Sequence, residues 1–374
     1  MANKSHFNSG HIAMNILKRN GVEHSATIEG KQIEKSLHGV YIQDAVKFLK
    51  KMPDNSVQLI LIDPPYNLDL DYWDTYEDYR SWAKTWLDEI YRVLTDTGNC
   101  VIFGGFQFQD LKKGDLLEVL HYTRHNTKLR FVNLVIWYYK NGMSAHRFFA
   151  NRHEEAIWLS KTNKYYFDLD AVRVPFDEAT KVMYKKDKRL NHESIEKGKN
   201  PTNVWEIGRL NGNSVERVGH PTQKPLEIIR RFVKALSYEG SIVLDFFAGS
   251  GTTGRICIEE NRHSIMVDAD SSLNIYFKKH IENMGMDFFQ KPYQIIKDLE
   301  IKDLLLKMNE QSKDISISDF SEDYQEEENM TFPTIIPIIH QQERITIPSP
   351  ILQQEKVVAY VAAAANDNVY KYEL

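Results

Sequence analysis

At 374 residues the chain is long enough to bury one large α/β core with appendages, which is favoured over two equal domains. Its composition, 42% hydrophobic and 26% charged, is that of a soluble globular protein, and the two distant cysteines, Cys100 and Cys257, form neither a disulfide framework nor a metal-ligand pattern. No apolar run approaches the roughly 20 residues of a membrane span, the start from Met1 to Gly10 is too polar for a signal peptide, and a reducing cytoplasm is the expected location.

The net charge of −5 conceals an asymmetry: residues 309–330 hold eight acids and one lysine, −7 in all, which leaves +2 on the rest. A nucleic-acid partner is therefore not excluded.

In chain order, residues 1–37 are polar and weakly periodic and read as an N-terminal arm. Val40–Asp44 reads as a short strand, and Ala45–Lys51 as a helix with Val46 and Leu49 on one face. Val57–Asp63 is a buried strand that runs into Asp63-Pro64-Pro65-Tyr66. Tyr76–Leu94 carries Tyr79, Trp82, Trp86, Ile90, Val93 and Leu94 at helical spacing, with Gly98 as its stop and core packing as the role of its aromatics. Strands are expected at Asn99–Phe103, Leu129–Tyr138 and Glu155–Ser160.

The stretch from about 175 to 203 gathers Lys181, Lys185, Lys186, Lys188, Arg189, Lys197 and Lys199 with little apolar periodicity, and reads as a loop or small inserted module. Its lysines are either a solvated surface or phosphate contacts. Thr222–Leu236 reads as a helix with Pro225 in its first turn. Ile242–Leu244 is a strand entering a glycine loop, Thr252–Glu260 a helix, Ser264–Asp268 a strand, and Leu273–Met284 a helix. Beyond about Asn309 the chain turns acidic and then Pro- and Ile-rich, as a mobile linker with a poorly defined appendage. This βα alternation predicts an α/β fold with a doubly wound, mostly parallel sheet.

Two segments carry chemistry, each at the carboxyl end of a predicted strand, where open α/β sheets place ligands. The first is Asp245-Phe246-Phe247-Ala248-Gly249-Ser250-Gly251-Thr252-Thr253. Its Gly249-Ser250-Gly251-Thr252-Thr253-Gly254 matches a dinucleotide-binding loop, and Asp268 lies nineteen residues beyond the first glycine. A dinucleotide-dependent oxidoreductase is thus the rival from another reaction class, and a plain tight turn is the structural alternative. Asp245 argues against a pyrophosphate, which it would repel, and suits a ligand carrying an ammonium or sulfonium centre.

In the second segment, Asp63 offers a carboxylate and Pro64 a carbonyl. Pro65 stiffens the turn, and Tyr66 provides a surface for a base to stack on. Together they suit an exocyclic NH₂ whose two hydrogens are accepted while its nitrogen faces an electrophile. An ordinary Asp-Pro turn is the alternative.

These motifs resemble the catalytic and S-adenosylmethionine motifs of DNA amino-methyltransferases, and their order resembles the β group of adenine-N6 enzymes from restriction-modification systems. Gly198-Lys199-Asn200-Pro201-Thr202-Asn203-Val204-Trp205 and His220-Pro221-Thr222-Gln223-Lys224-Pro225 are similar to further signatures of that family. The likeness covers roughly residues 1 to 290. It is strongest at Met1–Gly21, Asn141–Glu155, Phe167–Arg173 and Leu210–Gln223, where it implies the palindrome GAATTC and a restriction endonuclease as functional partner.

The resemblance implies a Rossmann-like methyltransferase domain over 38–300, a target-recognition region inserted at about 164–217, and a tail of unknown role over 301–374. It implies catalysis at Asp63, Pro64, Pro65 and Tyr66. Asp245, Phe246, Ala248, Gly249, Ser250, Gly251 and Thr252 would cradle the methionine part of S-adenosylmethionine, with Phe246 beside the sulfonium. Asp268 would bind the ribose and Asp44 would sit near the adenine, each with a helix-cap alternative. Thr222 and Lys224 would close over the amino-acid end, a solvated surface being the alternative for Lys224. Lys185, Lys186, Lys188, Arg189 and Arg152 are the DNA-contact candidates, Arg152 lying in a polar segment that is either a DNA-facing loop or a solvated turn. Double-stranded DNA is the substrate, no metal is needed, and a homodimer is compatible. The nearest rival is N4-cytosine methylation, although Asp at the first motif position leans toward adenine.

Overall fold

A computed structural model describes residues 26–29, 33–67, 74–105, 115–142, 146, 149–187, 190–285, 291–311 and 316–319, with backbone alone at 26–29 and 316–319. The chain divides into a unit spanning Met1–Thr331 and a second, Phe332–Leu374, which lies wholly outside the described residues. So do Met1–Gly21, Lys188 and Arg189 and the Pro- and Ile-rich stretch.

The strands are β1 (Ala26–Glu29), β2 (Ser36–Ile42), β3 (Val57–Ile62), β4 (Leu94–Gly104), β5 (Arg130–Tyr138), β6 (His153–Ser160), β7 (Val204–Glu206), β8 (Ile242–Asp245), β9 (His263–Asp268), β10 (Tyr293–Lys297) and β11 (Ser316–Asp319). The helices are α1 (Ala45–Leu49), α2 (Tyr79–Val93), α3 (Leu116–Asn126), α4 (Glu178–Lys185), α5 (His192–Lys197), α6 (Leu226–Leu236), α7 (Thr252–Glu259), α8 (Leu273–Asn283) and α9 (Ile301–Gln311). No described helix is long and apolar enough to cross a membrane.

Six consecutive buried residues make β3 an interior strand. Leu59 and Leu61 join the core cluster that α6 and part of α7 cover, whereas Ile60 and Ile62 join the one built with α1, α2, α3 and α9. An apolar run buried on both sides is the mark of a sheet with helices on both faces. Each such aliphatic side chain contributes roughly 1.5–3 kcal/mol by its burial.

Among the described residues nine strands form one sheet, in the order β10-β2-β9-β8-β3-β4-β6-β5-β7. Only β6 runs antiparallel to its neighbours, so the doubly wound, mostly parallel architecture holds. The chain leaves β3 toward β4 on one side and β8 toward β9 on the other, and β3 and β8 are adjacent, pairing Leu59 with Val243 and Ile60 with Leu244. That junction is a topological switch point, where open sheets bind ligands. It brings the ends of the two motif strands together.

Several boundaries differ from expectation, each for a local reason. The strand expected from Val40 is β2, which begins at Ser36 because its partner β10 pairs from Ser36 onward, and it cuts into the expected arm. Helix α2 starts at Tyr79, capped by Asp78, and ends at Val93; Gly98 stops no helix but lies within β4. The lysine-rich stretch contains two short helices, α4 and α5. Helix α6 starts at Leu226, four residues later than expected, with Pro225 as its N-cap. Just past the expected tail boundary near 300, α9 packs into the main core through Leu304, Leu305 and Met308.

Candidate active site

A cavity of about 610 Å³ opens at the switch point, and both chemical motifs line it. Asp63 follows β3, while Asp245 and Asp268 are the last residues of β8 and β9. Of the expected cofactor residues, Asp44, Thr222, Lys224, Asp245, Phe246, Ala248, Gly249, Ser250, Thr252 and Asp268 all line this one space. Gly251 stands just behind it, as the N-cap of α7.

The glycine loop is held by its own acids. Asp245 Oδ2 accepts from Thr253 Oγ1 at 2.6 Å and Oδ1 from the Phe247 amide at 3.2 Å. Burial drives the Asp245 carboxyl up to about 7 against those two bonds, and the nearby charges of Asp63 and Asp268 push the same way. A buried acid poised to ionise toward a cavity suits a cationic ligand group. Asp268 does not cap a helix, since α8 begins only at Leu273 after Ser272. Its Oδ2 accepts from the Gly249 amide at 2.8 Å and Oδ1 from the Asp270 amide at 2.9 Å. Burial raises its carboxyl above the ordinary range. Asp44 does cap α1, accepting from the Lys47 amide at 2.9 Å, and lines the cavity as well.

Gly249 and Gly251 have φ of +46° and +78°, a region other residues enter only at a cost. A Cβ on Gly249 would stand 3.1 Å from His220 Nε2, and one on Gly251 3.1 Å from Phe277 Cβ. Gly251→Ala is therefore expected to lose about 1–2 kcal/mol of stability. A thermal melt read beside a cofactor-binding titration checks this.

The Phe246 ring is fully buried against Trp86 and Phe247, and the residue also lines the cavity. Half-buried rings at the cavity include Phe247, Trp82 and Tyr76, the last two stacked at 4.0 Å. The helical spacing of Trp82 predicts core packing, whereas Tyr76 precedes the helix. Asn67, at φ 56°, fixes Tyr76 in place: its Oδ1 accepts from the Tyr76 amide at 2.7 Å, and its own amide donates to Asp74.

The catalytic segment is part of a network. Tyr66 Oη donates to Asp63 Oδ1 at 2.8 Å, and Tyr79 Oη donates to the Pro65 carbonyl at 3.0 Å, which pins the turn. Burial, with Asp63 and Glu154 alongside, keeps the Tyr66 phenol protonated far above its ordinary range. Lys224 is no surface residue. Only 7% exposed, it places Nζ 2.6 Å from Asp63 Oδ2 and 3.5 Å from Glu154 Oε2, and over the Tyr66 ring at 5.2 Å. Burial opposes its charge, but Asp63 and Glu154 outweigh that and hold the ammonium above the usual lysine range. The approach to Lys224 is stapled. Gln223 accepts from the Val218 amide and donates to the Glu216 carbonyl, while Glu216 accepts from the first amide of α6.

Among the described residues, the DNA-contact candidates Lys185, Lys186 and Arg152 lie off the cavity. Lys185 is ion-paired with Glu196, and Lys181 and Lys197 pair with acids of the same helix pair. Arg152 sets its guanidinium against Gly142 and is absent from the cavity wall, which Asn151, His153, Glu154 and Glu155 reach instead. Two lining cations had no sequence signal: Arg209, over the Tyr139 ring at 5.2 Å, and Arg217, which donates to the His220 carbonyl.

A family model for N6/N4 methyltransferases, described as DNA methylase, matches residues 57–278. The chain belongs to this DNA methylase family. It is 33% identical over 251 residues to the type II methyltransferase M.HpaI of Haemophilus parainfluenzae, covering 66% of this chain and 73% of that one. It is 31% identical over 257 residues to the DNA adenine methyltransferase YhdJ of Escherichia coli, covering 65% and 80%. Among solved structures, the cytosine-N4-specific PvuII DNA methyltransferase aligns at a TM-score of 0.50 and 18% identity over 75% of this chain and 96% of its own, a likeness of fold. Membership removes the oxidoreductase reading of the glycine loop. The family's methyl donor is S-adenosylmethionine. The residues fit it: a buried acid for its ammonium, a tightly packed glycine bend at positive φ, and aromatic rings beside a cavity of adequate size.

Proposed function

We propose that this chain methylates the exocyclic N6 of adenine in duplex DNA, as the modification enzyme of a type II restriction-modification system. The observation that carries the reading is the convergence of Asp63 and Asp245, from adjacent strand ends, on one cavity. Asp at the first motif position favours adenine over cytosine. Similarity to the RsrI methyltransferase, part of which lies at Met1–Gly21 outside the described residues, supports GAATTC as the site and a restriction endonuclease as the functional partner.

S-adenosylmethionine supplies an electrophilic methyl group on a cationic sulfur. Asp245 would hold its ammonium, Asp268 its ribose, and the Phe247–Trp82 side the cationic centre, worth about 0.5–2 kcal/mol per aromatic contact. The target base leaves the helical stack at a cost of a few kcal/mol. Stacking on Tyr66 offsets part of that, roughly 1–3 kcal/mol.

Asp63 and the Pro64 carbonyl accept the amine hydrogens and turn its lone pair toward the methyl. Both Asp63 oxygens already carry a partner, Tyr66 on one and Lys224 on the other, yet a carboxylate offers about four acceptor positions. The side chain is thus fixed in rotation while still open to the amine. Preorganised acceptors of this kind accelerate a reaction because they need no rearrangement at the transition state.

Phosphate contacts fall to Lys185, whose surface ion pair with Glu196 is weak enough to exchange for DNA, to Lys186, and to the cavity-lining Arg209. The test is direct. Purified protein, DNA containing GAATTC and isotopically labelled S-adenosylmethionine are incubated, and the nucleosides are separated by mass spectrometry. Labelled N6-methyladenine within that palindrome is the expected product. N4-methylcytosine would move the assignment to the other base, and absence of label would overturn it.

A further inference from the structure

Lys224 poses an electrostatic problem that the reading above does not solve. Its ammonium is 2.6 Å from Asp63 and only 8% exposed, so it cancels most of the charge of the carboxylate that must face the amine. As the amine attacks, its lone pair forms the new N–C bond while the C–S pair stays on sulfur. The nitrogen becomes cationic until it loses a proton to Asp63 or water. A neutral Asp63–Lys224 pair stabilises that charge poorly.

Glu154 supplies what is missing. Its Oε2 lies 3.5 Å from Lys224 Nζ and 3.5 Å from Tyr66 Oη, so it touches both partners of Asp63. It comes from β6, opposite Trp137 of β5. Its neighbour Glu155 is occupied elsewhere, 2.9 Å from His153 Nε2. With Glu154 the cluster is two carboxylates around one ammonium, net −1, beside the reacting nitrogen. One carboxylate is enough to neutralise the lysine, and a second acid this close adds a repulsion that Lys224 only partly offsets.

We propose that Glu154 is a positioning residue for methyl transfer: it is the counter-charge of Lys224 and leaves Asp63 electrostatically available to the amine. This rests on the methyl-transfer reading and adds a residue to it.

The test measures single-turnover methylation at saturating DNA and cofactor, with the affinities of both measured separately. Glu154→Gln is expected to slow the chemical step by about 10–100-fold with both affinities within about threefold, while Glu154→Asp stays within several-fold of the parent. In a Lys224→Met background the same Glu154→Gln change is expected to have no further effect, because the cation it balances is gone. Should Glu154→Gln not fold alone, Glu154→Ala takes its place in the same four-way comparison of parent, two single variants and double variant. An unchanged rate in Glu154→Gln, a loss confined to affinity, or equal losses in both backgrounds would overturn the proposal. A parent protein that transfers no methyl group would instead sink the functional reading beneath it.

Discussion

Replacing Asp63 with asparagine is expected to slow single-turnover methyl transfer by about 10²–10³-fold, the usual effect of removing one preorganised electrostatic partner. Asparagine keeps the shape and one acceptor oxygen but loses the charge. The turn remains held by the Tyr79 bond to Pro65, and cofactor affinity is expected to stay within about threefold because Asp245 and Asp268 are untouched. Alanine is the poorer probe. It strips buried Lys224 of its nearer partner, and only Glu154 at 3.5 Å limits a stability loss that reaches about 3–5 kcal/mol when a buried pair is broken outright. Rapid-quench measurement with labelled cofactor gives the rate. Near-parental turnover in the asparagine variant would remove Asp63 from the reaction.

The second large effect is expected at Asp245. Its asparagine variant should bind S-adenosylmethionine about 10–150-fold more weakly, corresponding to the roughly 1.5–3 kcal/mol of a hydrogen bond to a charged group. The pH dependence follows from burial, which lifts this carboxyl to about 7 in the free protein. Below that pH the group is largely protonated, while a bound ammonium requires it ionised, so binding must release a proton. Affinity is therefore expected to be greatest between pH ~7 and the roughly pH 8 at which the ligand's own α-ammonium deprotonates, and to fall by up to about tenfold per pH unit below pH ~7. The asparagine variant should lose that slope. Calorimetry in buffers of different ionisation enthalpy counts the proton released, and a flat profile for the parent protein would exclude Asp245 as the ammonium's partner.

Much of this site was legible because its signals are local. Val57–Ile62 and Ile242–Asp245 are short apolar runs that end in an acid, and runs buried on both faces announce parallel strands whatever lies elsewhere in the chain. The glycine loop is legible for the same reason, since the backbone angles of Gly249 and Gly251 favour glycine over other residues. Where local signals mixed, the reading slipped. Ile301, Leu304, Leu305 and Met308 have helical spacing, but they adjoin the acidic stretch and were expected to be tail rather than core. Thr222–Pro225 looked helical until Glu216 and Gln223 tied it into a loop. Phe246 and Phe247 are adjacent and alike in kind, and only packing buries the first fully against Trp86 and leaves the second half-buried beside Trp82.

What the amino-acid order determined alone was the kind of fold and the place of each motif at a strand end, because strand periodicity, glycine bends and turn acids depend on near neighbours. Tertiary structure decided which groups share charge. Lys224 and Asp63 are 161 positions apart, and Glu154 reaches them only because β6 is laid beside β4 in the sheet. Coulombic coupling acts through a few ångströms of space and takes no account of distance along the chain, so no reading of spacing alone could have joined these three residues.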